Sequence, residues 1–254
     1  MLKNPLKIAV LGSSLLTAAT AQAETITVAV AANFTKAAEE IGAAWEETSE
    51  HDVRFSFGPS GELLAQIQNG APFDAYFSAD TERPQILMDA GTARDFFVYA
   101  QGELVLFSMD LPVDERAETI LAEGDFRHIA VANPQAAPYG LAAQQVLEAR
   151  DLYQRFQAEG RLATGQSISQ AFQYTTTGNA QLGFVALSQL RDPDSPVKGQ
   201  GHRWMPPAED YDAIEQGAVA LTRSEHPEIV DDFLAFVRSD QGTAIIEKYG
   251  YQTP

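Results

Sequence analysis

The chain contains no cysteine and few basic side chains, and each shortage excludes a class of protein. Without cysteine there are no disulfides, no thiolate metal site and no lipid-modified cysteine to tether the chain. The 254 residues carry 17 lysines and arginines against 35 aspartates and glutamates, a formal net charge of −18. Because nucleic acids are polyanions, this balance argues strongly against a nucleic-acid partner.

Long apolar runs are also missing beyond the N-terminal segment. Lys3 and Lys7 precede an apolar run from Ile8 to Ala19, and Ala21-Gln22-Ala23 has the small-x-small pattern of a signal peptidase site. A membrane anchor is the alternative, but the run is shorter than the roughly 20 residues of a spanning helix. We therefore predict a cleaved secretory signal over residues 1–23, which leaves 15 basic and 35 acidic side chains and a net charge of −20. The expected location is the periplasm, without membrane insertion.

Motifs of catalysis and metal binding are weak. Ser60 stands in Gly58-Pro59-Ser60-Gly61, which lacks the Gly-x-Ser-x-Gly spacing of a nucleophile elbow. The four histidines show no motif spacing, and no glycine-rich phosphate loop follows a strand. The acidic run 209–212 lacks the ligand spacing of a calcium loop, so a solvated loop is the better interpretation. We predict a protein that is not an enzyme, with no direct metal ligands and no cofactor. A secreted serine hydrolase using Ser60 is the alternative.

One stretch near the N-terminus organises the rest of the chain. Ile26 to Val30 is a β-prone apolar run, and apolar residues recur at helical spacing from Phe34 to Trp45. Asn33 stands just before that helix, where we predict that it acts as the cap. A strand that ends at a helix N-terminus presents backbone N–H groups and the positive end of the helix dipole, so this turn is a candidate anion site.

The strand–turn–helix pattern recurs along the chain. Ser60 follows an alternating strand and is predicted to cap a helix, Tyr139-Gly140 opens another, and Ser167–Gln170 has the form of a capping box. Alternating strands and helices imply parallel sheets, whose ligands bind beyond the carboxyl ends of the strands. Capping alone explains each turn taken singly, whereas convergence of the turns would indicate a ligand site.

None of these turns has a charged side chain at its turning point. Neutral donors suit a fully deprotonated oxyanion, but they offer no strong acceptor to a protonated one such as hydrogen phosphate. The inferred ligand is therefore a tetrahedral dianion without protons.

Over essentially the whole chain after residue 23, these features resemble the molybdate-binding proteins of bacterial ABC importers, the ModA family. The segments that carry the resemblance are Val30–Thr35, Ser60–Ile67, Gly70–Asp80, Asn133-Pro134, Ala137–Gly140, Gly183–Ala186 and Tyr249–Tyr251.

The resemblance implies an α/β fold, a two-lobed periplasmic binding protein of type II in which each lobe is a mainly parallel sheet flanked by helices. We place lobe 1 at residues 24–100 plus 219–254 and lobe 2 at residues 101–218, joined by two hinge crossings. It also implies that a monomer captures molybdate or tungstate and delivers it to the membrane permease of an ABC transporter. A binding protein for sulfate or another oxyanion is the alternative.

The resemblance further implies which residues hold the oxyanion. The implied set is Ala32, Asn33, Ser60, Tyr139 and Ile168. Backbone groups are implied for Ala32, Tyr139 and Ile168, hydroxyl and backbone for Ser60, and side chain or backbone for Asn33. Many relatives have a tyrosine ligand where this chain has Ala186. Asn33, which replaces a serine common in the family, is a candidate to supply that missing donor.

Overall fold

The computed structural model describes residues 23–254, which form two lobes, each built on a five-stranded β-sheet flanked by helices. The predicted secretory signal lies, apart from Ala23, outside the described residues. Between residues 23 and 254, no helix combines the length and the apolar character that crossing a membrane requires.

The secondary structure follows the predicted alternation of strands and helices. Within residues 23–254 the strands are β1 (Thr25–Ala31), β2 (Asp52–Gly58), β3 (Ala75–Phe77), β4 (Ala93–Gly102), β5 (Leu104–Ser108), β6 (Ile129–Ala132), β7 (Leu162–Gly165), β8 (Leu182–Ala186), β9 (His202–Trp204) and β10 (Ile214–Leu221). The α-helices in the same range are α1 (Thr35–Glu46), α2 (Ser60–Gln68), α3 (Glu82–Asp89), α4 (Val113–Glu123), α5 (Pro138–Glu148), α6 (Tyr153–Ala158), α7 (Ile168–Thr176), α8 (Leu187–Arg191), α9 (Pro227–Val237) and α10 (Asp240–Lys248). A one-turn 3-10 helix at Ala32–Phe34 connects β1 to α1.

Both sheets have the same topology. The strand order is β2-β1-β3-β10-β4 in the first sheet and β7-β6-β8-β5-β9 in the second. The three strands at one side of each sheet are parallel, because helical crossovers connect them. The strand that arrives from the other lobe, β10 or β5, is antiparallel to both of its neighbours. The sheets are therefore mixed, and the crossing strands supply their antiparallel pairs.

Two chain crossings join the lobes. Glu103 alone separates β4 in the first sheet from β5 in the second, and the chain returns from β9 to β10 through residues 205–213. The predicted lobe boundaries at residues 100 and 218 fall inside strands of the first sheet, since β4 extends to Gly102 and β10 begins at Ile214. Gly102 pairs with Ile214, so the two crossings lie side by side.

An aromatic cluster fixes the turn after β1. Phe34 ends the 3-10 helix and packs on Phe77, Tyr99 and Tyr251, with ring centroids 6.3, 4.7 and 5.4 Å away. Its partners come from β3, β4 and the C-terminal segment of lobe 1, and aromatic pairs at such distances are favourable beyond their buried area. The position of residues 32 and 33 is therefore set by the core of the lobe.

We predict that Gly102→Ala destabilises the protein, because Gly102 lies against the packed groups of the hinge. A Cβ at this position would overlap the Tyr139 hydroxyl and lie 2.7 Å from Gln216 Nε2. Overpacking of this kind costs about 1–3 kcal/mol, which urea unfolding measures. The double variant Gly102→Ala, Tyr139→Phe removes the overlapping oxygen and should recover part of the loss. An unchanged free energy of unfolding in Gly102→Ala would contradict the prediction.

Candidate functional site

The four predicted turns converge on the boundary between the lobes. In lobe 1, Ala31 pairs with Gly58, so the turns after β1 and β2 are neighbours. In lobe 2, Ala132 pairs with Gly165, which brings together the turns after β6 and β7. All four turns lie at the carboxyl ends of parallel strands, as open α/β sheets require of a ligand site.

Direct hydrogen bonds join the turns of one lobe to those of the other. Gly61 N donates to Ala136 O at 2.9 Å, and Ser169 Oγ donates to Ala32 O at 3.3 Å. Ala31, at the end of β1, also packs into the core of lobe 2. The two lobes are thus closed on each other around these turns.

Each implied ligand residue is the first or second residue of a helix. Ala32 and Asn33 begin the 3-10 helix, Ser60 begins α2, Tyr139 is second in α5 and Ile168 begins α7. Backbone N–H groups at these positions have no acceptor within their own helix. They also lie at the positive end of the helix dipole. The closed boundary therefore brings together donors from both lobes.

Ser60 is not the helix cap that the sequence predicts, because it is already helical and Pro59 occupies the cap position. Its side chain is 1% exposed, and its Oγ accepts a hydrogen bond from Ala79 N at 3.0 Å. Tyr76 Oη donates to the Ser60 carbonyl at 2.8 Å. These bonds hold the residue in place, and among residues 23–254 its Oγ takes part only as an acceptor. Its buried O–H group therefore remains available as a donor at the lobe boundary.

Asn33 does not cap the helix either, because it lies inside the 3-10 turn and makes no capping bond. Its Nδ2 donates to Gln216 Oε1 at 2.8 Å and to Tyr251 Oη at 3.0 Å, which uses both amide hydrogens. The backbone carbonyl of Asn33 accepts from Ser188 Oγ at 2.9 Å and from Tyr251 Oη at 2.7 Å. In this arrangement the backbone, rather than the carboxamide, is the part of Asn33 that remains to donate to a ligand.

Gln216 is the residue of this site that the sequence analysis missed. It is fully buried in β10, and its Oε1 also accepts from Tyr99 Oη at 2.9 Å. Its Nε2 lies 3.5 Å from Tyr139 Oη in lobe 2, so the network spans both lobes at the hinge. A polar side chain beside the apolar run 218–221 is the only local signal that could have indicated it.

In the second lobe, Tyr139 and Ile168 lie in the first turns of the α-helices α5 and α7. The Tyr139 hydroxyl reaches Gln216 at the hinge, so this residue offers its backbone to the cleft. Ser167 caps α7 as predicted, accepting from Gln170 N at 3.3 Å. The predicted capping box is only half formed, because Gln170 Oε1 accepts from Gln166 N at 2.6 Å instead of from Ser167 N. Ala186 is fully buried and supplies no side-chain donor.

The electrostatics of the site are those of neutral donors. Burial raises the pKa of Tyr99 and Tyr139 well above that of an ordinary phenol and also raises the pKa of Tyr251, so all three stay protonated at neutral pH. On the lobe 1 side, Arg83, which lies beside Gly61, forms an ion pair with Asp80. Across residues 23–254, no group of three or more acidic or histidine side chains is arranged to hold a metal ion.

Known proteins share this architecture over nearly the full chain. A family model of bacterial extracellular solute-binding proteins matches residues 26–252. The molybdate-binding protein ModA of Rhodobacter capsulatus is 42% identical over 92% of this chain and 90% of its own length. ModA of Azotobacter vinelandii is 40% identical over 96% of both chains. The solved periplasmic molybdate-binding protein of Azotobacter vinelandii superposes with a TM-score of 0.85 at 37% identity, covering 90% of this chain and 99% of its own.

The buried tyrosines predict a loss of stability at alkaline pH. Burial raises the pKa of Tyr99, Tyr139 and Tyr251, whereas tyrosines of the unfolded chain ionise from about pH 10. Above that pH the unfolded chain releases protons that the folded chain retains, so the free energy of unfolding falls as pH rises. Below that pH the effect is absent.

Urea unfolding from about pH 8 to about pH 11 measures this decline. Tyr251→Phe removes one buried phenol and should show a shallower slope than the parent protein. Equal slopes in the two proteins would contradict the assignment of the decline to these phenols.

Proposed function

The chain belongs to the ModA family of molybdate-binding proteins, and on that basis we propose that it captures molybdate or tungstate between its lobes for delivery to an ABC importer. In this proposal the protein works in the periplasm as a monomer and docks on the membrane permease. It needs no cofactor, and it holds molybdenum or tungsten only as the oxyanion.

One observation carries the proposal: donors from both lobes meet at a closed boundary without a charged side chain among the ligand residues. Ser60 contributes a buried hydroxyl that, within residues 23–254, takes part in hydrogen bonding only as an acceptor from Ala79 N. A fully deprotonated tetrahedral oxyanion presents only acceptors, so every donor can be satisfied. A protonated anion would bring an additional donor that this set of residues does not accept.

Capture without chemistry fits the environment of Ser60 better than hydrolysis does. The hydrogen-bond partners of Ser60 Oγ and Ser60 O are Ala79 N and Tyr76 Oη, and neither is a general base. Among the described residues His202 pairs with Asp114, and His51 accepts from the backbone of Glu24. The absence of a histidine or carboxylate bonded to Ser60 Oγ among residues 23–254 supports capture over hydrolysis.

We predict that molybdate and tungstate raise the melting temperature of the purified protein, whereas sulfate and phosphate at equal concentration do so weakly or not at all. A ligand that binds only the folded state stabilises it by mass action, so a thermal-shift series followed by calorimetry measures the effect. A shift with sulfate alone would favour the sulfate alternative. No shift with either metal oxyanion would contradict the proposal.

We predict that Ser60→Ala weakens molybdate binding about 10- to 100-fold, because it removes a hydrogen bond to a charged ligand. Ser108→Ala is the matched control, since Ser108 is also buried and donates to Gln181 O at 2.7 Å within lobe 2. The control should lose stability but keep its affinity in calorimetry. Equal affinities for Ser60→Ala and the parent protein would remove Ser60 from the ligand set.

A further inference from the structure

Two hydrogen-bond donors of lobe 1 bind backbone carbonyl groups in one short loop of lobe 2. Gly61 N donates to Ala136 O at 2.9 Å, and Arg83 Nη2 donates to Gln135 O at 3.0 Å. The acceptors are consecutive carbonyls of the loop that leads into α5. Neither donor belongs to the implied ligand set, and both bonds depend on the lobes being closed.

The Arg83 side chain is held in position for this contact. It forms an ion pair with Asp80, and both side chains are about one-fifth exposed. Asp80 Oδ1 also accepts from Arg83 N at 3.0 Å and from Ser78 Oγ at 3.0 Å. Because lobe 1 fixes the guanidinium before contact, less side-chain entropy is lost when it meets the second lobe.

The loop that contains Gln135 and Ala136 leads directly to Tyr139, a proposed ligand donor. Gln135 and Ala136 stand three and two residues before Pro138, the first residue of α5, and Tyr139 follows it. Gly61, in turn, follows Ser60 in α2. Strand β2, which leads into α2, lies three positions from β10 in its sheet, whereas Asp80, the ion-pair partner of Arg83, accepts a backbone hydrogen bond from Gly217 of β10.

We propose that Gly61 and Arg83 form an interlobe clasp on residues 135–136 that sets how long the oxyanion stays bound. The inference rests on the proposed function and adds to it two residues that determine release. Contacts made only in the closed form shift the equilibrium between open and closed forms toward closure. A ligand enclosed between the lobes leaves only after the clasp opens, so the clasp acts on the dissociation rate.

The first test removes the guanidinium. Arg83→Gln should raise the dissociation rate of radiolabelled molybdate about 5- to 50-fold while the association rate changes less than about 2-fold. Arg94→Gln is the matched control, because Arg94 also lies in lobe 1 and pairs with Asp95 and Asp231 without reaching lobe 2. Both variants lose one positive charge, so a general electrostatic effect would appear equally in the two.

The second test introduces a side chain at Gly61, where it would push residues 135–136 away from lobe 1. A Cβ at Gly61 would lie 3.3 Å from Ala136 Cα and O and 3.5 Å from Arg83 Nε, so its closest contacts are with the opposite lobe. In the series Gly61→Ala and Gly61→Val, the dissociation rate should rise with side-chain size. The free energy of unfolding should not fall in parallel for Gly61→Ala, because alanine favours the helix over glycine. Small-angle X-ray scattering of the ligand-free variants should show a larger radius of gyration than the parent.

The outcomes separate the clasp from the proposed function. If the parent protein binds molybdate and Arg83→Gln releases it at the parental rate, the clasp is wrong and the function stands. If the parent binds neither metal oxyanion, the proposed function fails, and the scattering of the Gly61 series still decides whether the clasp holds the lobes closed. A radius of gyration unchanged across that series would overturn the clasp.

Discussion

The cleft depends on one constraint: a buried backbone N–H at a helix N-terminus needs an acceptor outside its own helix. Four strand–turn–helix units place such groups on the two faces of the boundary, at residues 32–33, 60, 139 and 168. Closing the lobes takes water away from these donors. Closure and the binding of an acceptor-rich ligand are therefore thermodynamically coupled, and the two-lobed architecture is the means of coupling them.

The hinge depends on a second set of polar groups, with different chemistry. The Asn33 carboxamide, Gln216 and Tyr251 satisfy one another inside the protein, and Ser188 of lobe 2 bonds to the Asn33 carbonyl. A satisfied buried network has demanding geometry, so it fixes the turn at residues 32–33 relative to both crossings. The Asn33 side chain therefore belongs to the hinge, a role that the sequence did not predict, and under the proposed function the same turn serves the ligand through its backbone.

The sequence predicted what depends on local pattern and missed what depends on distant partners. The strand and helix around Asn33 follow from hydrophobic periodicity, and both appear in the structure. The capping roles of Asn33 and Ser60 were wrong, because Gln216 lies 183 residues from Asn33 in the chain and Ala79 lies 19 from Ser60. Sequence spacing cannot reveal that such partners compete for a side chain. The antiparallel pairing of β5 with β8 and of β10 with β3 likewise depends on how the chain crosses between the lobes, which local pattern does not reveal.

The charge of the protein indicates where binding strength has to come from. A chain with a net charge of −20 after residue 23 repels a dianion at long range, so electrostatic steering cannot speed its association. Arg83 does not reverse this field, since Asp80 neutralises it. Under the proposed function, binding strength therefore comes from slow dissociation, through donors that act only at contact and through interlobe bonds that open before release. An acidic surface and a closed, neutral cleft are therefore compatible, because they act on different steps of binding.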